Sequence, residues 1–466
     1  MPYVFYDTET TGVATAFSQI LQFAAIKTDD ELVEVDRFEV RCRLSPHVIP
    51  SPGALVVTGI SPTLLTDLNL PTHYQAIQEI REKLVEWSPA VFIGYNSIAF
   101  DEELLRQAFF QTLHPAYLTN TNGNRRSDVM RIAHSTDMYQ RNTISVPMDD
   151  KGKQTFRLDK LAPINGFDHT HAHDAMADVE ATLFVAQLVK ERANGIWNSM
   201  SRFVNKNEVI NYVMKEPCFS LSERYFGRMY SWLVTFCGQN PDYDGQLAVF
   251  DLEFDPDDYL SLSVEELIQT LGKSPKPIRA VTANRQPIIM PPETAPGETR
   301  ALKVSVQERN RRIEAIENDR PFIARVGEAL SRRFVDREVS PHLEKQIYDG
   351  FPGRNDQALM EDFHEEPWGS RISLIEKMQD PRLVEFAHRL VYFERPDLLS
   401  DRKRQEMDDW LADRVLSEDF SVPWVTVPKA LRELEDELAK EDKARSDFLV
   451  EIKEFLLNRA QHLSGA

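Results

Sequence analysis

The chain has 466 residues, which is too many for a single hydrophobic core, so two or three domains are expected. Its 54 basic and 74 acidic residues give a formal net charge of −20, which argues against binding of nucleic acid by overall electrostatic attraction. Three scattered cysteines, the lack of a membrane-length apolar run and the lack of a signal-peptide pattern predict a soluble, cytoplasmic protein without membrane association.

The first predicted strand ends in two carboxylates. Residues 3–12 read Tyr-Val-Phe-Tyr-Asp-Thr-Glu-Thr-Thr-Gly, and the apolar run at their start predicts a buried strand. Asp7 and Glu9 are two residues apart, so both side chains leave the strand on one face. Two buried acids repel each other and are costly to desolvate, and a divalent cation removes both penalties. An exposed strand end with the same pattern is common, so this pair alone leaves both interpretations open.

The following elements predict a mixed sheet flanked by helices, as in ribonuclease-H-like folds. Residues 3–7, 20–28 and 32–44 are expected to form three antiparallel strands, with a turn at Asp29-Asp30. Residues 71–87 predict an amphipathic helix, residues 91–93 a strand and the residues from Asp101 onward another helix. Residues 115–150 are polar and are expected to be a loop-rich segment. This domain is predicted to cover residues 1–192.

A further acid and a histidine occur at the start of the last predicted helix of this domain. Residues 171–178 read His-Ala-His-Asp-Ala-Met-Ala-Asp and lead into a pattern with mostly helical apolar spacing. His173 is near the N-terminal end of that helix, and Asp178 is about one and a half turns further along. The helical turn can hold a metal-binding carboxylate, and the preceding loop can bring an imidazole toward the same ion.

In order and context, these residues resemble the DEDD superfamily of 3′→5′ exonucleases, in the subgroup whose general base is a histidine five residues before the last aspartate. The resemblance implies that Asp7, Glu9, Asp101 and Asp178 hold two Mg²⁺ ions, with Mn²⁺ as a substitute. It implies that His173 is the general base.

Two other assignments do not fit the superfamily pattern. The second subgroup has a tyrosine three or four residues before the last aspartate, where this chain has Ala175 and Asp174. His171 lies seven residues before Asp178, outside the spacing of the histidine subgroup.

Several further segments resemble the bacterial exodeoxyribonuclease I family, and this resemblance extends over the whole chain. They are residues 22–26, 52–55, 156–161, 171–179 and the Tyr-Asp-Gly-Phe sequence at 348–351. The resemblance implies hydrolysis of single-stranded DNA to 5′-mononucleotides in DNA repair or recombination, by a monomer that has single-stranded-DNA-binding protein as its partner. The alternatives are the same chemistry on RNA or in polymerase proofreading, and a non-catalytic scaffold that binds DNA ends.

The remainder of the chain predicts two more domains. Residues 194–335 contain aromatic-rich strand candidates at 225–238 and 246–254, and the six prolines between residues 275 and 296 interrupt helices, which predicts a small β-barrel. By resemblance it is an SH3-like domain. Residues 338–466 predict a helical domain with breaks at Pro396 and Pro423. Its apolar stripes between residues 431 and 456 are expected to be core or domain-packing faces.

Basic residues are concentrated in two stretches, at 125–160 and 273–312, and a local positive surface can follow a phosphate backbone even on an acidic protein. Arg157 is the first candidate for a substrate contact, because a guanidinium can bind a phosphate in bidentate fashion. Arg106 and Arg131 are lesser candidates, for which a surface ion pair is an equal alternative. By resemblance, the backbone around Glu9 and Thr10 holds the terminal nucleotide.

Overall fold

The structure is a computed structural model that describes residues 1–168, 173–333, 338–440 and 446–464. The first domain has five strands: β1 Tyr3–Thr10, β2 Ile20–Thr28, β3 Glu34–Arg41, β4 Val91–Gly94 and β5 Arg125–Asp128. It has seven helices: α1 Pro52–Thr58, α2 Pro62–Leu65, α3 His73–Glu86, α4 Asp101–Gln111, α5 Val129–Tyr139, α6 Leu158–Ile164 and α7 Ala175–Arg192. The position of His171 lies outside the described residues.

β1 is the central strand of a five-stranded sheet with the order β3-β2-β1-β4-β5. It pairs antiparallel with β2, and β2 pairs antiparallel with β3, as the sequence predicted. β1 also pairs parallel with β4. The pairing with β4 ends at Phe5 and Ile93, so β1 continues beyond its neighbour. At the end of β4, Gly94 packs so closely on β1 that a Cβ atom there would lie 2.7 Å from the carbonyl oxygen of Tyr6. The chain therefore leaves the sheet beside the last residues of β1, where Asp7 and Glu9 lie.

Helices cover both faces of this sheet. Phe5, Ala24 and Ile26 share one core with Val179 and Ala186 of α7. On the other face, β1, β2 and β4 pack against α3 and α4, in a core that includes Ile77, Leu84 and Leu105. The predicted mixed α/β, ribonuclease-H-like arrangement is confirmed, because alternate residues of β1 serve both cores.

The prediction of a loop-rich segment at 115–150 was wrong for its middle part, which forms β5 and α5. The sequence of β5 is Arg-Arg-Ser-Asp, which has no strand-forming residues, and pairing with the edge of β4 creates the strand. In α5, Val129, Ile132 and Ala133 are fully buried in the core shared with α7 and β1, whereas the residues from His134 to Asp137 are polar. Tertiary contacts thus outweigh the weak local signal.

The second domain contains a five-stranded antiparallel sheet with the order β10-β6-β7-β8-β9. Its elements are α8 Asn194–Arg202, α9 Lys206–Lys215, β6 Phe219–Tyr225, β7 Arg228–Gln239, β8 Gln246–Asp251, α10 Val264–Gly272, β9 Ile278–Thr282, β10 Ile288–Met290, α11 Val306–Asn318 and α12 Arg320–Arg332. The predicted strand 225–238 began too early, since β6 ends at Tyr225 and the left-handed pair Phe226-Gly227 turns the chain into β7. The SH3-like barrel assignment stays a prediction.

The third domain is helical, as predicted. A short 3₁₀-helix at Leu343–Tyr348 precedes α13 Arg354–Glu365, α14 Trp368–Ile375, α15 Pro381–Glu394, α16 Asp401–Leu416, α17 Val427–Leu438 and α18 Ser446–Ser464. The predicted apolar stripes of α17 and α18 pack against the first domain, where Leu434 and Ile452 are buried with Val48 and Leu55. The predicted domain boundaries at residues 192, 194, 335 and 338 stay predictions. Residues 334–337 lie outside the described ranges. Within those ranges, no helix is long and apolar enough to cross a membrane.

Candidate active site

Three of the four predicted acids meet at the end of β1. Asp7 and Glu9 on β1 and Asp178 in the first turn of α7 each offer a carboxylate oxygen, and these oxygens lie within 4.8 Å of one another. The shared core of β1 and α7 brings the two elements together. Residues separated by about 170 positions in sequence therefore form one carboxylate group.

Asp101, the fourth predicted acid, lies beside this group at the first residue of α4. Its carboxylate is buried, and its Oδ1 accepts a hydrogen bond of 2.6 Å from the hydroxyl of Thr8. Thr8 is the residue between Asp7 and Glu9, so the strand that carries two of the acids also orients the fourth one. The sequence analysis did not identify Thr8, although it lies inside the Asp-Thr-Glu motif.

The local electrostatics fit a divalent cation. Burial, followed by repulsion from Asp101, Asp178 and Glu9, raises the pKa of Asp7 well above its usual value. Burial and repulsion from Asp178 and Asp101 raise the pKa of Glu9 to about 9, and burial raises the pKa of Asp101 to about 7. Without a cation, such a cluster retains protons at neutral pH, whereas a divalent ion compensates the charges. Oxygen donors alone suit a hard ion such as Mg²⁺ or Mn²⁺.

His173 immediately precedes α7 and has a left-handed backbone conformation, with φ of 71°. It lines a pocket of about 330 Å³, called here the His173 pocket. The other residues of this pocket are Tyr95, Asn96, Met130, Thr155, Phe156, Arg157, Leu158, Asp159, Asp178 and Arg224. The predicted base thus shares a cavity with one of the predicted metal ligands.

The start of α7, which lies between His173 and Asp178, is tied to the sheet. Asp174 is the N-cap residue and accepts a hydrogen bond from the backbone N–H of Ala177. Its Oδ2 also accepts hydrogen bonds from Gln22 of β2, at 3.1 Å, and from Arg41 of β3, at 2.5 Å. These bonds fix the helix terminus relative to β2 and β3. Sequence spacing alone did not reveal this function of Asp174.

Of the predicted cationic contacts, Arg157 lies in the His173 pocket. Its side chain is 67% exposed and forms an ion pair of 3.0 Å with Asp159. Burial alone would raise the pKa of Asp159, but Arg157, Lys160 and His173 bring it below its usual value. An exposed guanidinium at the pocket is compatible with the expected phosphate contact.

Arg106 is buried, and its expected substrate contact stays a prediction. Its side chain is only 8% exposed and forms ion pairs with Glu102 and Glu103, at 3.0 and 3.2 Å. The guanidinium also stacks on the ring of Tyr117. These pairs are buried rather than on the surface, because a position one helical turn beyond Asp101 does not determine burial.

Arg131 occupies the contact between the first and second domains. It donates hydrogen bonds to the carbonyl oxygen of Gln286, at 2.9 Å, and to Glu223, at 3.2 Å. It lines a separate cavity of about 300 Å³ with Trp232 and Arg279, away from His173. Its expected contact with the substrate strand stays a prediction, and its observed hydrogen bonds join the first domain to the second.

Comparison with known proteins shows which families the chain matches. Residues 4–186 match the family model described as "Exonuclease", and residues 341–459 match the model described as "Exonuclease I C-terminal domain". Exodeoxyribonuclease I of Escherichia coli (strain K12) is 27% identical over 378 residues, which cover 77% of this chain and 78% of the relative. The chain is thus similar to exodeoxyribonuclease I over most of its length. The match to the exonuclease model and this relative show that it is a nuclease, as the sequence predicted.

Solved structures of exonuclease I have the same fold over the whole chain. Exonuclease I from Methylocaldum szegediense superposes with a TM-score of 0.84 at 25% identity, and 99% of each chain is covered. A zinc-bound complex of E. coli exonuclease I with single-stranded DNA gives 0.81 at 22% identity, again with 99% coverage of both chains. An exonuclease I structure with SSB and the inhibitor CFAM gives 0.80 at 24% identity and the same coverage.

Proposed function

We propose that this chain is a 3′→5′ exonuclease that degrades single-stranded DNA and releases 5′-mononucleotides. The observation that carries the proposal is the carboxylate group of Asp7, Glu9 and Asp178, because Asp178 also lines the pocket that contains His173. Single-stranded DNA as the substrate is supported by the DNA-bound relative and by the match of residues 341–459 to an exonuclease I domain.

In this proposal Asp7, Glu9, Asp101 and Asp178 hold two divalent ions, which are Mg²⁺ or, as a substitute, Mn²⁺. When bound, such ions stabilise the negative charge that develops on the attacking and leaving oxygens of the phosphodiester. The raised pKa values of Asp7, Glu9 and Asp101 support this assignment, because these three acids are then deprotonated only together with a compensating charge.

The side chains around this group have the remaining tasks. Neutral His173 accepts the proton of the attacking water at a ring nitrogen and passes it to solvent through the pocket. Arg157 donates hydrogen bonds to a phosphate of the bound strand, which holds the strand in register. The backbone around Glu9 and Thr10 receives the 3′-terminal nucleotide.

The alternatives differ in substrate or in activity. Digestion of RNA and proofreading use the same site, but neither requires the helical third domain that packs on the first. A non-catalytic scaffold does not require all five predicted residues. We also propose single-stranded-DNA-binding protein as a partner, in line with the SSB-bound relative, and a cytoplasmic monomer as the working form.

The test is digestion of single-stranded DNA, duplex DNA and RNA, all of one sequence and labelled at the 5′ end. Each substrate is incubated with Mg²⁺ and with chelator. The expected result is stepwise shortening of the single-stranded DNA from its 3′ end, only with Mg²⁺. A preference for RNA or duplex would overturn the substrate assignment. The absence of any digestion with either Mg²⁺ or Mn²⁺ would favour the scaffold.

A further inference from the structure

A residue of the second domain lines the His173 pocket. Arg224 lies near the end of β6, next to the Phe226-Gly227 turn, and is exposed to the same cavity as His173, Asp178 and Arg157. Successive residues of a strand point to opposite faces, so Arg224 is directed toward the first domain while Tyr225 lines the separate cavity with Trp232. The pocket therefore has walls from two domains.

The guanidinium of Arg224 is fixed by neutral groups. Its Nη2 donates hydrogen bonds to the carbonyl oxygens of Gln154, in the first domain, and Gly227, in its own turn. The guanidinium carbon lies 4.7 Å from the centre of the Phe156 ring. Carbonyl oxygens and an aromatic face orient a guanidinium without forming an ion pair with it.

The two arginines of this pocket differ in their charge balance. Arg157 is paired with Asp159, whereas no carboxylate within the described ranges forms an ion pair with Arg224. Burial lowers the pKa of Arg224 and outweighs the opposing influence of Tyr95 and Asp137, which reflects the cost of removing the cation from water. A partly buried, oriented cation that forms no direct ion pair is suited to binding an anion. In a nuclease pocket, that anion is a phosphodiester, which matches the guanidinium in geometry.

We propose that Arg224 binds a backbone phosphate of the substrate strand close to its 3′ end, so that the second domain completes the substrate site of the first. The inference rests on the proposed function, because it requires a nucleic-acid strand in the His173 pocket. Its alternative is a purely structural role, in which Arg224 only joins the domains through Gln154.

The first experiment is steady-state digestion of labelled single-stranded DNA by Arg224→Gln, Arg224→Lys and wild type. We expect KM to rise about tenfold or more in Arg224→Gln, with a smaller change in kcat, and an intermediate KM in Arg224→Lys. The matched control is Arg228→Gln, which removes an exposed charge from the same hairpin outside the His173 pocket. Its KM is expected to equal that of wild type.

The second experiment separates phosphate binding from a structural role. Oligonucleotides with one neutral methylphosphonate at successive linkages from the 3′ end are bound in chelator and followed by fluorescence anisotropy. At one of these linkages the substitution is expected to weaken binding by wild type but not by Arg224→Gln. Loss of one phosphate contact is also expected to reduce the slope of log affinity against log salt by about 0.7.

Two outcomes would overturn the inference while the proposed function stands. One is digestion by wild type with an unchanged KM in Arg224→Gln. The other is a wild-type scan in which no linkage near the 3′ end affects binding, a result that does not depend on how the variants fold. If wild type digests no DNA, the proposed function itself fails. Equal loss of affinity in Arg224→Gln for every linkage, together with a lowered melting temperature, would assign Arg224 to the structural role.

Discussion

His173 and Asp7 belong to one site but have different surroundings. Asp7 is surrounded by other carboxylates, whereas His173 lines a pocket that contains only Asp178 of these acids. We therefore predict that Asp7→Ala loses both turnover and Mn²⁺ binding. His173→Ala is expected to lose turnover by about 10²- to 10⁴-fold and to retain Mn²⁺ binding. Calorimetric Mn²⁺ titration and a digestion assay on both variants measure these two properties. Equal loss of metal binding in both would contradict the assigned roles.

Thr8 orients Asp101 through a single buried hydrogen bond of 2.6 Å. Thr8→Val keeps the shape of the side chain and removes this bond, so we expect metal affinity to fall by about 10- to 100-fold. Turnover at saturating Mg²⁺ is expected to stay near the wild-type value. The control is Thr112→Val, at the other end of α4, where the lost hydrogen bond is to the carbonyl oxygen of Ala108. A Thr8→Val protein with wild-type metal affinity would show that Asp101 needs no such support.

The individual site residues could be predicted from sequence only where a short motif carries them. Asp7 and Glu9 share a strand, and His173 and Asp178 share a helix start, so local periodicity placed each pair correctly. The burial of Arg106 was not predictable in this way, since its charge is neutralised inside the first domain by Glu102 and Glu103. Arg224 is brought to the site by the docking of a second domain, for which a local pattern contains no information.

At the level of elements, the start of α7 decides where His173 and Asp178 lie. Asp174→Ala removes the N-cap and the bonds to Gln22 and Arg41, so we expect about 1 kcal/mol or more of lost stability together with at least tenfold lower turnover. The measurements are a melting temperature and a digestion rate.

The matched control for this helix start is Asp319→Ala. Asp319 is the N-cap of α12 in the second domain, where its side chain accepts from the backbone N–H of Phe322 at 2.8 Å. Its loss is expected to cost similar stability without affecting turnover. If both cap variants lowered turnover equally, the effect would be one of general stability.

Elements with strong apolar periodicity were predictable, and elements formed by tertiary pairing were not. β1, β2, α3, α4 and α7 all carry buried apolar residues at regular spacing, and the sequence predicted each of them. β5 lacks any such pattern and forms because it pairs with the edge of β4. β6 was missed because the Phe226-Gly227 turn lies within an aromatic-rich run that resembles one continuous strand.

On the scale of the whole molecule, the first and third domains meet at a pair of stacked imidazoles. The rings of His114 and His364 lie 3.7 Å apart, and His364 also contacts the hydroxyl of Tyr74 and the carbonyl oxygen of Leu113. Burial lowers the pKa of His364 to about 4, and burial followed by repulsion from His364 lowers the pKa of His114 to about 2. Both rings are neutral in the folded protein at neutral pH.

These pKa values predict lower stability in acid. Unfolded histidines titrate near pH 6.5, so below that pH the unfolded chain binds more protons than the folded one. Each such histidine therefore reduces stability by up to about 1.4 kcal/mol per pH unit between about 6.5 and its folded pKa. We expect His364→Gln to be less stable than wild type at pH 8 but to lose less stability between pH 8 and pH 5. Urea midpoints over this range measure the difference. The exposed His462→Gln is the control, and equal pH dependence in wild type and His364→Gln would contradict the prediction.

The three-part architecture was predictable from chain length and changes of pattern, but the contacts between the domains were not. Net charge alone suggested a poor nucleic-acid binder, whereas the structure gathers Arg157 and Arg224 from two domains at one pocket. The apolar stripes of α17 and α18 were predicted as packing faces, yet their partners around Leu55 became visible only in the folded protein.

The central claim is that the carboxylates at the end of β1 hold divalent ions. Crystals grown without metal and then soaked in Mn²⁺ test it most directly, through anomalous difference density. The account predicts Mn²⁺ peaks coordinated by Asp7, Glu9 and Asp178, with Asp101 taking part. Mn²⁺ bound elsewhere, with these acids uncoordinated, would contradict it.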